Sequence, residues 1–221
     1  MSPLDALGFA PMVPDMERIE TALRASVRAE DPFLSDVAGH LISAGGKRLR
    51  PALAVCAAYA AKGLGPAADD AVTGGVAVEL VHLGSLYHDD VIDEAETRRG
   101  VPSVNARWSN IVAILAGDYL LARASSLAAS LGADVAALLA ATIGELCRGQ
   151  VLELQRIIFD LKRSNIGILI TDHAVRETLV VTDRAYIINN GRIFRAGSPE
   201  ALERDPEVKR IYLGESFSLR V

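Results

Sequence analysis

Three aspartates in a short stretch are the feature of this sequence best suited to chemistry: Asp89 and Asp90, followed by Asp93. On a helix, residues 89 and 93 project from one face, about a turn apart. Carboxylates this close repel each other unless a cation joins them, and such oxygen ligands suit Mg²⁺, which also binds substrate phosphates. The alternative is a solvated acidic helix face.

Basic residues flank this acidic motif. Arg98 and Arg99 follow at the end of the same predicted helix, and His82 lies two turns before the motif on the same face. Lys47 and Arg50 lie three apart where an earlier helix is predicted to open. Helix N-termini favour anions, and a lysine beside an arginine suits a diphosphate. The pattern predicts one metal-bound and one cation-bound anion, with surface charges and a core histidine as the alternative.

The elements that must position these residues are helices, because residues 1–155 carry apolar side chains at helical spacing with Ala and Leu dominating. Gly- and Pro-containing stretches separate the predicted helices. These helices cover residues 16–29, 48–62, 68–94, 109–130 and 135–155. The first segment is therefore predicted to be an all-α bundle.

The composition changes near residue 155. Ala occurs 30 times in residues 1–155 and 4 times in 156–221, and the formal charge changes from −7 to +2. The later residues predict a buried strand at 166–171, a helix at 175–181 and a hairpin at 185–189 and 192–196, joined by Asn190-Gly191. Another helix is predicted after Ser198 and Pro199. We expect two domains, residues 1–155 and 156–221, the second a small α/β fragment.

Composition limits the class of protein. The 221 residues are 50% hydrophobic with a formal net charge of −5, so an extended core is expected and broad nucleic-acid binding is not. Charged residues interrupt the apolar runs, and the N-terminus lacks a basic start. We therefore expect no transmembrane segment, no signal peptide and a cytoplasmic protein.

Residues 16–155 resemble the N-terminal half of a trans-isoprenyl (polyprenyl) diphosphate synthase. The matching segments are Gly45-Gly46-Lys47-Arg48-Leu49-Arg50-Pro51, the stretch 79–100 with His82, the aspartates and Arg98-Arg99-Gly100, and Gly117-Asp118-Tyr119-Leu120-Leu121. The resemblance implies a helical bundle and Mg²⁺-dependent condensation of isopentenyl diphosphate with an allylic diphosphate. A homodimer is also expected.

The resemblance also implies roles for individual residues. Asp89 and Asp93, with Asp90 in support, would bind the Mg²⁺ ions that hold the allylic diphosphate. Arg98 would also contact that diphosphate. Isopentenyl diphosphate would be held by Lys47, Arg50, His82 and Arg99. Gly84 and Ser85, one turn before the acidic motif, would leave a tunnel open for a long product, since the family places bulky residues there to stop chain growth.

One family feature is missing from this sequence. The second Asp-rich motif, which supplies a facing metal site, has no counterpart, because no Asp-Asp pair follows Gln155. Half of a metal clamp would bind substrates weakly, so the expected activity of this chain alone is impaired.

Residues 156–221 resemble the C-terminal end of an ATP-binding subunit of an ABC transporter, of the lipopolysaccharide-export type. The matching segments are 168–173, 175–179, 183–187, 191–193, 197–200 and 208–215. His173 falls at that family's switch histidine. ATP binding also needs a glycine-rich phosphate loop, which this sequence lacks, so His173 is expected to be a relic. The alternatives to a prenyl synthase are therefore a transporter ATP-binding fragment and an inactive fusion.

Overall fold

The computed structural model describes residues 12–171 and 175–214, and its elements are mainly helical. In chain order they are α1 (Met12–Ser26), α2 (Pro32–Ser43), α3 (Leu49–Lys62), α4 (Asp69–Ile92), β1 (Thr97–Arg98), β2 (Val101–Pro102), α5 (Val104–Arg107), α6 (Asn110–Ser130), α7 (Ala133–Arg163), α8 (Val175–Val181), β3 (Ala185–Asn189), β4 (Arg192–Gly197), α9 (Pro199–Arg204) and α10 (Pro206–Val208), followed by a π-helical turn (Lys209–Leu213).

The chain divides into two compact units, residues 1–145 and residues 146–221. This division falls ten residues before the boundary expected from composition, and it lies within α7, which runs from Ala133 to Arg163 without a break. The change in composition therefore does not coincide with the end of a helix.

Helix α4 is the centre of the first unit, where it packs against α1, α3 and α6. Its sequence is apolar around much of its circumference, which is typical of a buried helix rather than a surface one. Its buried residues are Val72, Gly75, Val76, Ala77, Glu79, Leu80, Val81, Leu83, Gly84, Tyr87 and Asp90. The surrounding helices thus hold in place the C-terminal end of α4, where the acidic motif lies.

Helix α2 was not predicted, although its start is encoded locally. Asp31 caps the helix by accepting hydrogen bonds from the backbone N–H groups of Phe33 and Leu34 at 2.7 and 3.3 Å, and Pro32 occupies the first turn. The Tyr87 hydroxyl donates to the Val37 carbonyl at 2.8 Å, which ties α2 to α4. This contact places the middle of α2 beside the later part of α4.

A short hairpin follows α4 where the sequence indicated a helix end. Strands β1 and β2 are antiparallel, with Arg98 opposite Val101. Arg99 and Gly100 form the turn with φ values of 54° and 78°, a left-handed pair that suits a two-residue hairpin. Helix α4 ends at Ile92, two residues before the predicted end at residue 94, so Arg98 and Arg99 follow the helix and lie in the hairpin.

Helices α6 and α7 are long and apolar enough to cross a membrane by length and composition, which the expectation of no transmembrane segment did not anticipate. Within the apolar windows, 33% of α6 and 6% of α7 are buried. The core helix of a globular protein meets the same criteria, and α6 packs against α4 in this way.

The second unit has a small core formed by Leu179, Ile187, Leu202 and Val208. The predicted helix at 175–181, the hairpin with its Asn190-Gly191 turn and the helix capped by Ser198 are all present. The predicted buried strand at 166–171 is wrong. Leu169 is 90% exposed, and no described strand pairs with this segment to satisfy its backbone groups.

Candidate functional site

Asp89 and Asp93 form an acidic pair on the last turn of α4. The Asp93 N–H donates to the Asp89 carbonyl at 2.8 Å, so the helical spacing continues to the cap residue. Burial raises the pKa of Asp89, and the charge of Asp93 raises it further. The two carboxylates are therefore close enough to repel, and a shared cation would relieve that repulsion.

The donor set of this pair fits Mg²⁺. Within residues 12–171 and 175–214, no group of three or more His, Cys, Asp or Glu side chains is placed to hold a metal. Mg²⁺ commonly takes one or two carboxylates and completes its coordination with water and substrate phosphate oxygens. A pair with one half-buried and one exposed carboxylate suits that use.

Asp90 is the buried member of the acidic motif. It has no exposed surface, and its Oδ1 accepts a hydrogen bond from Nε of Arg98 at 2.6 Å and forms an ion pair with Nη2 at 2.5 Å. The helical rotation between residues 89 and 90 turns this carboxylate inward, toward the hairpin. Asp90 therefore holds Arg98, and its supporting role at the metal site stays a prediction.

The basic residues of the 45–50 segment lie partly in a loop. Helix α3 begins at Leu49, so Lys47 precedes the helix and Arg50 lies in its first turn, whereas both were expected at the helix opening. Both side chains are exposed, so they can meet an anion from solvent. Arg48 adopts a left-handed backbone conformation with φ of 48° and is turned into the protein.

Arg99 is brought to this loop by the hairpin. Its Nη1 donates to the carbonyl oxygens of Leu41, at 3.1 Å, and of Gly45. Burial and the nearby charge of Arg48 lower the pKa of Arg99. The two basic segments, more than fifty residues apart in the chain, therefore meet at the end of α2.

His82 lies among these cations on α4. Burial lowers its pKa to about 4, with contributions from the charges of Arg50, Arg99, Arg48 and Arg98, in that order. The imidazole is therefore neutral near pH 7, so it offers one hydrogen-bond donor and one acceptor rather than a charge. The sequence predicted that His82 belongs with the basic residues, and its electrostatic environment agrees.

Sequence reasoning missed Glu79 and Arg48. Glu79 is 2% exposed and accepts a hydrogen bond from Nη1 of Arg48 at 3.2 Å. A lone carboxylate in an apolar helix could have indicated a buried ion pair, because such groups are rarely buried without a partner. Its partner could not be identified from spacing alone.

The predicted product-length residues differ in their surroundings. A Cβ atom at Gly84 would lie 3.1 Å from the Gly117 carbonyl oxygen and 3.2 Å from Leu121 Cγ. Gly84 therefore allows close packing of α4 on α6, and its expected place beside an open tunnel stays a prediction. Ser85 is half-buried and donates to the His82 carbonyl at 2.9 Å. Its role in product length stays a prediction.

His173, the expected relic of a switch histidine, lies outside the residues that the structure describes.

Comparison with known proteins identifies the first segment. Residues 31–167 match the family described as polyprenyl synthetase, which extends past the expected boundary at residue 155. The nonaprenyl diphosphate synthase of Mycobacterium tuberculosis is 46% identical over 151 residues, covering 67% of this chain and 44% of that protein. The octaprenyl diphosphate synthase of Haemophilus influenzae is 31% identical over 208 residues, covering 93% of this chain and 60% of that protein.

A solved structure shares the fold. The geranylgeranyl pyrophosphate synthase of Corynebacterium glutamicum, complexed with calcium and isoprenyl diphosphate, has a TM-score of 0.56 at 45% identity. The match covers 66% of this chain and 43% of that one, so this chain spans less than half the length of that synthase. The family match and the helical bundle built around α4 together show that this chain belongs to the polyprenyl synthetase family.

Proposed function

We propose that this chain carries the prenyl-transfer site of a trans-polyprenyl diphosphate synthase, which condenses isopentenyl diphosphate with an allylic diphosphate. The observation that carries the proposal is that α4 presents an acidic pair, Asp89 and Asp93, at its end and a neutral His82 among cations earlier in the helix. Helix α4 thus offers two sites: one for a metal-bound diphosphate and a second for a diphosphate held by protein groups.

The residues have separate roles in this proposal. Asp89 and Asp93 would hold Mg²⁺, which when bound neutralises charge on the departing diphosphate. Arg98, held by Asp90, donates hydrogen bonds to the allylic diphosphate as its carbon–oxygen bond breaks. A carbon–carbon bond forms to the isopentenyl double bond, and a proton leaves.

The second diphosphate is bound by the four residues that the sequence predicted for isopentenyl diphosphate. Lys47 and Arg50 are exposed and reach it from solvent, while Arg99 approaches from the hairpin. The neutral His82 adds a hydrogen bond without adding to the repulsion among the arginines.

We further propose that the chain alone is a weak catalyst. The sequence carries no Asp-Asp pair after Gln155 to supply the second half of a metal clamp. With one carboxylate pair, a diphosphate and its metal ions are held from one side, so substrate binding is weaker than in a complete clamp. We also propose that the chain forms a homodimer, which a measurement of its molecular mass in solution tests. We further propose that it lies in the cytoplasm, which cell fractionation tests.

The test is incubation of the pure chain with Mg²⁺, labelled isopentenyl diphosphate and an allylic primer. Elongated product that disappears on removal of Mg²⁺ supports the proposal. A parallel titration measures Mg²⁺-dependent binding of a non-reactive allylic diphosphate, which detects the site even where turnover is slow. Absence of both elongation and binding would contradict the function.

Residues 156–221 carry a second proposal, a fragment of an ABC-transporter ATP-binding domain without a nucleotide site. The helix at 175–181, the hairpin and the Ser198-capped helix that the resemblance spans support it. We expect ATP to leave the melting temperature unchanged, since a ligand at a hundredfold excess over Kd would stabilise the fold by about 2.7 kcal/mol. A clear shift that is lost in His173→Ala would show that this unit binds nucleotide.

A further inference from the structure

A buried carboxylate on α4 links two parts of the basic group. Oε1 of Glu79 accepts a hydrogen bond from Nη1 of Arg48 at 3.2 Å and lies 4.0 Å from Nη2 of Arg99. The same oxygen atom therefore faces two guanidiniums: that of Arg48, at the start of α3, and that of Arg99, in the hairpin after α4.

The carbonyl oxygen of Gly45 is a second point where these arginines meet. It accepts a hydrogen bond from Nη1 of Arg48 at 3.3 Å and another from Nη1 of Arg99. Arg48 also donates to Ile42, and Arg99 to Leu41, each at 3.1 Å. The loop that follows α2 is thus held by two guanidiniums.

The charges explain why this arrangement needs Glu79. Two guanidiniums that share one carbonyl repel each other, and Glu79 is the buried anion facing both. Burial raises the pKa of Glu79, while the charges of Arg48 and Arg99 oppose that change. Removal of one partner from a buried ion pair leaves an uncompensated charge, which strongly disfavours the original geometry.

We propose that Glu79 is a positioning residue for the isopentenyl diphosphate site. It fixes Arg48 and Arg99, and through them the 45–47 loop, so that Lys47 and Arg99 face the same diphosphate. Glu79 acts through the arginines, since its own carboxylate would repel the substrate. The inference rests on the proposed function.

The experiment compares Glu79→Gln with Glu20→Gln. Glu20 accepts from Nε and Nη2 of Arg48 at 2.9 and 3.4 Å, but it is one-third exposed, so water can replace it. Calorimetry measures binding of isopentenyl diphosphate and of inorganic pyrophosphate without Mg²⁺, and of a non-reactive allylic diphosphate with Mg²⁺.

We expect Glu79→Gln to weaken the two Mg²⁺-independent affinities about tenfold or more, the size of one lost charged hydrogen bond. The allylic affinity should change less than about threefold, because Arg98 has its own partner in Asp90. Glu20→Gln should change every affinity by less than about threefold. No change in Glu79→Gln, or equal weakening for all three ligands, would overturn the inference.

Two further results separate this inference from the proposed function. In the first, the unmutated chain binds pyrophosphate but not isopentenyl diphosphate, and Glu79→Gln selectively weakens the pyrophosphate affinity. This result supports the positioning role of Glu79 and contradicts isopentenyl diphosphate as the substrate. Binding of neither overturns both. Should Glu79→Gln fail to fold, Arg48→Lys keeps the charge and removes the planar fork. It should show the same selective loss, and unaltered binding there would refute the positioning role.

Discussion

Arg98 donates a hydrogen bond from Nε to Oδ1 of Asp90 at 2.6 Å, and its Nη2 forms an ion pair with the same oxygen at 2.5 Å. The other oxygen of this buried carboxylate, Oδ2, has no hydrogen-bond partner among the described residues. The middle aspartate of the acidic motif thus anchors the arginine that the proposed function assigns to the allylic diphosphate.

Asp90→Asn should lower the free energy of unfolding by about 2 kcal/mol, because Arg98 would lose a charged hydrogen-bond acceptor. Urea denaturation measures this change. Asp118→Asn is the control, since Asp118 is 62% exposed and its replacement should cost less than about 0.5 kcal/mol. Equal stability of the Asp90 variant and the unmutated chain would show that the Arg98 contact contributes little.

Asp89→Ala and Asp93→Ala should each abolish Mg²⁺-dependent binding of a non-reactive allylic diphosphate, because each removes a hard oxygen ligand. Calorimetric titration measures this loss. Without Mg²⁺, Asp93→Ala should also lower the pKa of Asp89, whose present elevation comes from burial and then from Asp93. Unchanged affinity in both variants would show that the pair is a solvated acidic helix face and not a metal site.

Gly84→Ala and Gly74→Ala should have opposite effects on stability, although both lie in α4. Alanine generally stabilises a helix interior relative to glycine by about 1 kcal/mol. At Gly74 the new Cβ would make an ordinary contact with Leu131 at 3.8 Å, whereas at Gly84 it would press on Gly117 and Leu121. We expect urea denaturation to show stabilisation for the first and a loss of about 1–3 kcal/mol for the second.

Ser85→Phe should shorten the product of a repaired chain that carries a complete second half from the family. The growing prenyl chain is expected to run along α4 from Asp89 toward the helix N-terminus, and a phenyl ring at Ser85 would block it. Chromatography of dephosphorylated products measures chain length, with Ser85→Ala as the small control. A product no longer than farnesyl diphosphate from the unmutated site would contradict the open-tunnel prediction.

His82→Gln should reduce the loss of stability between pH 6.5 and about 4. The unfolded chain protonates its histidine near the ordinary pKa of 6.5, whereas the folded chain does so only near 4. The unfolded state therefore binds more protons across this window, and His82 lowers stability as the pH falls. Melting curves across the window compare the two proteins, and parallel pH dependence would show that His82 titrates normally when folded.

Local patterns in the sequence were sufficient for most elements. Apolar spacing predicted the long helices, and the Asn190-Gly191 pair predicted a hairpin, because both depend on neighbouring residues. The spacing of Asp89 and Asp93 predicted an acidic pair for the same reason. The Asp31 cap of α2 is an equally local signal.

Tertiary structure decided the features that depend on distant partners. Residues 166–171 have strand composition, yet they form no strand because no described strand pairs with them. Asp90 differs from Asp89 only in the direction imposed by helix rotation, and the hairpin carrying Arg98 makes that direction matter. Glu79 acquires its partners from residues 31 positions earlier and 20 positions later, so only the folded chain could assemble that ion-pair group.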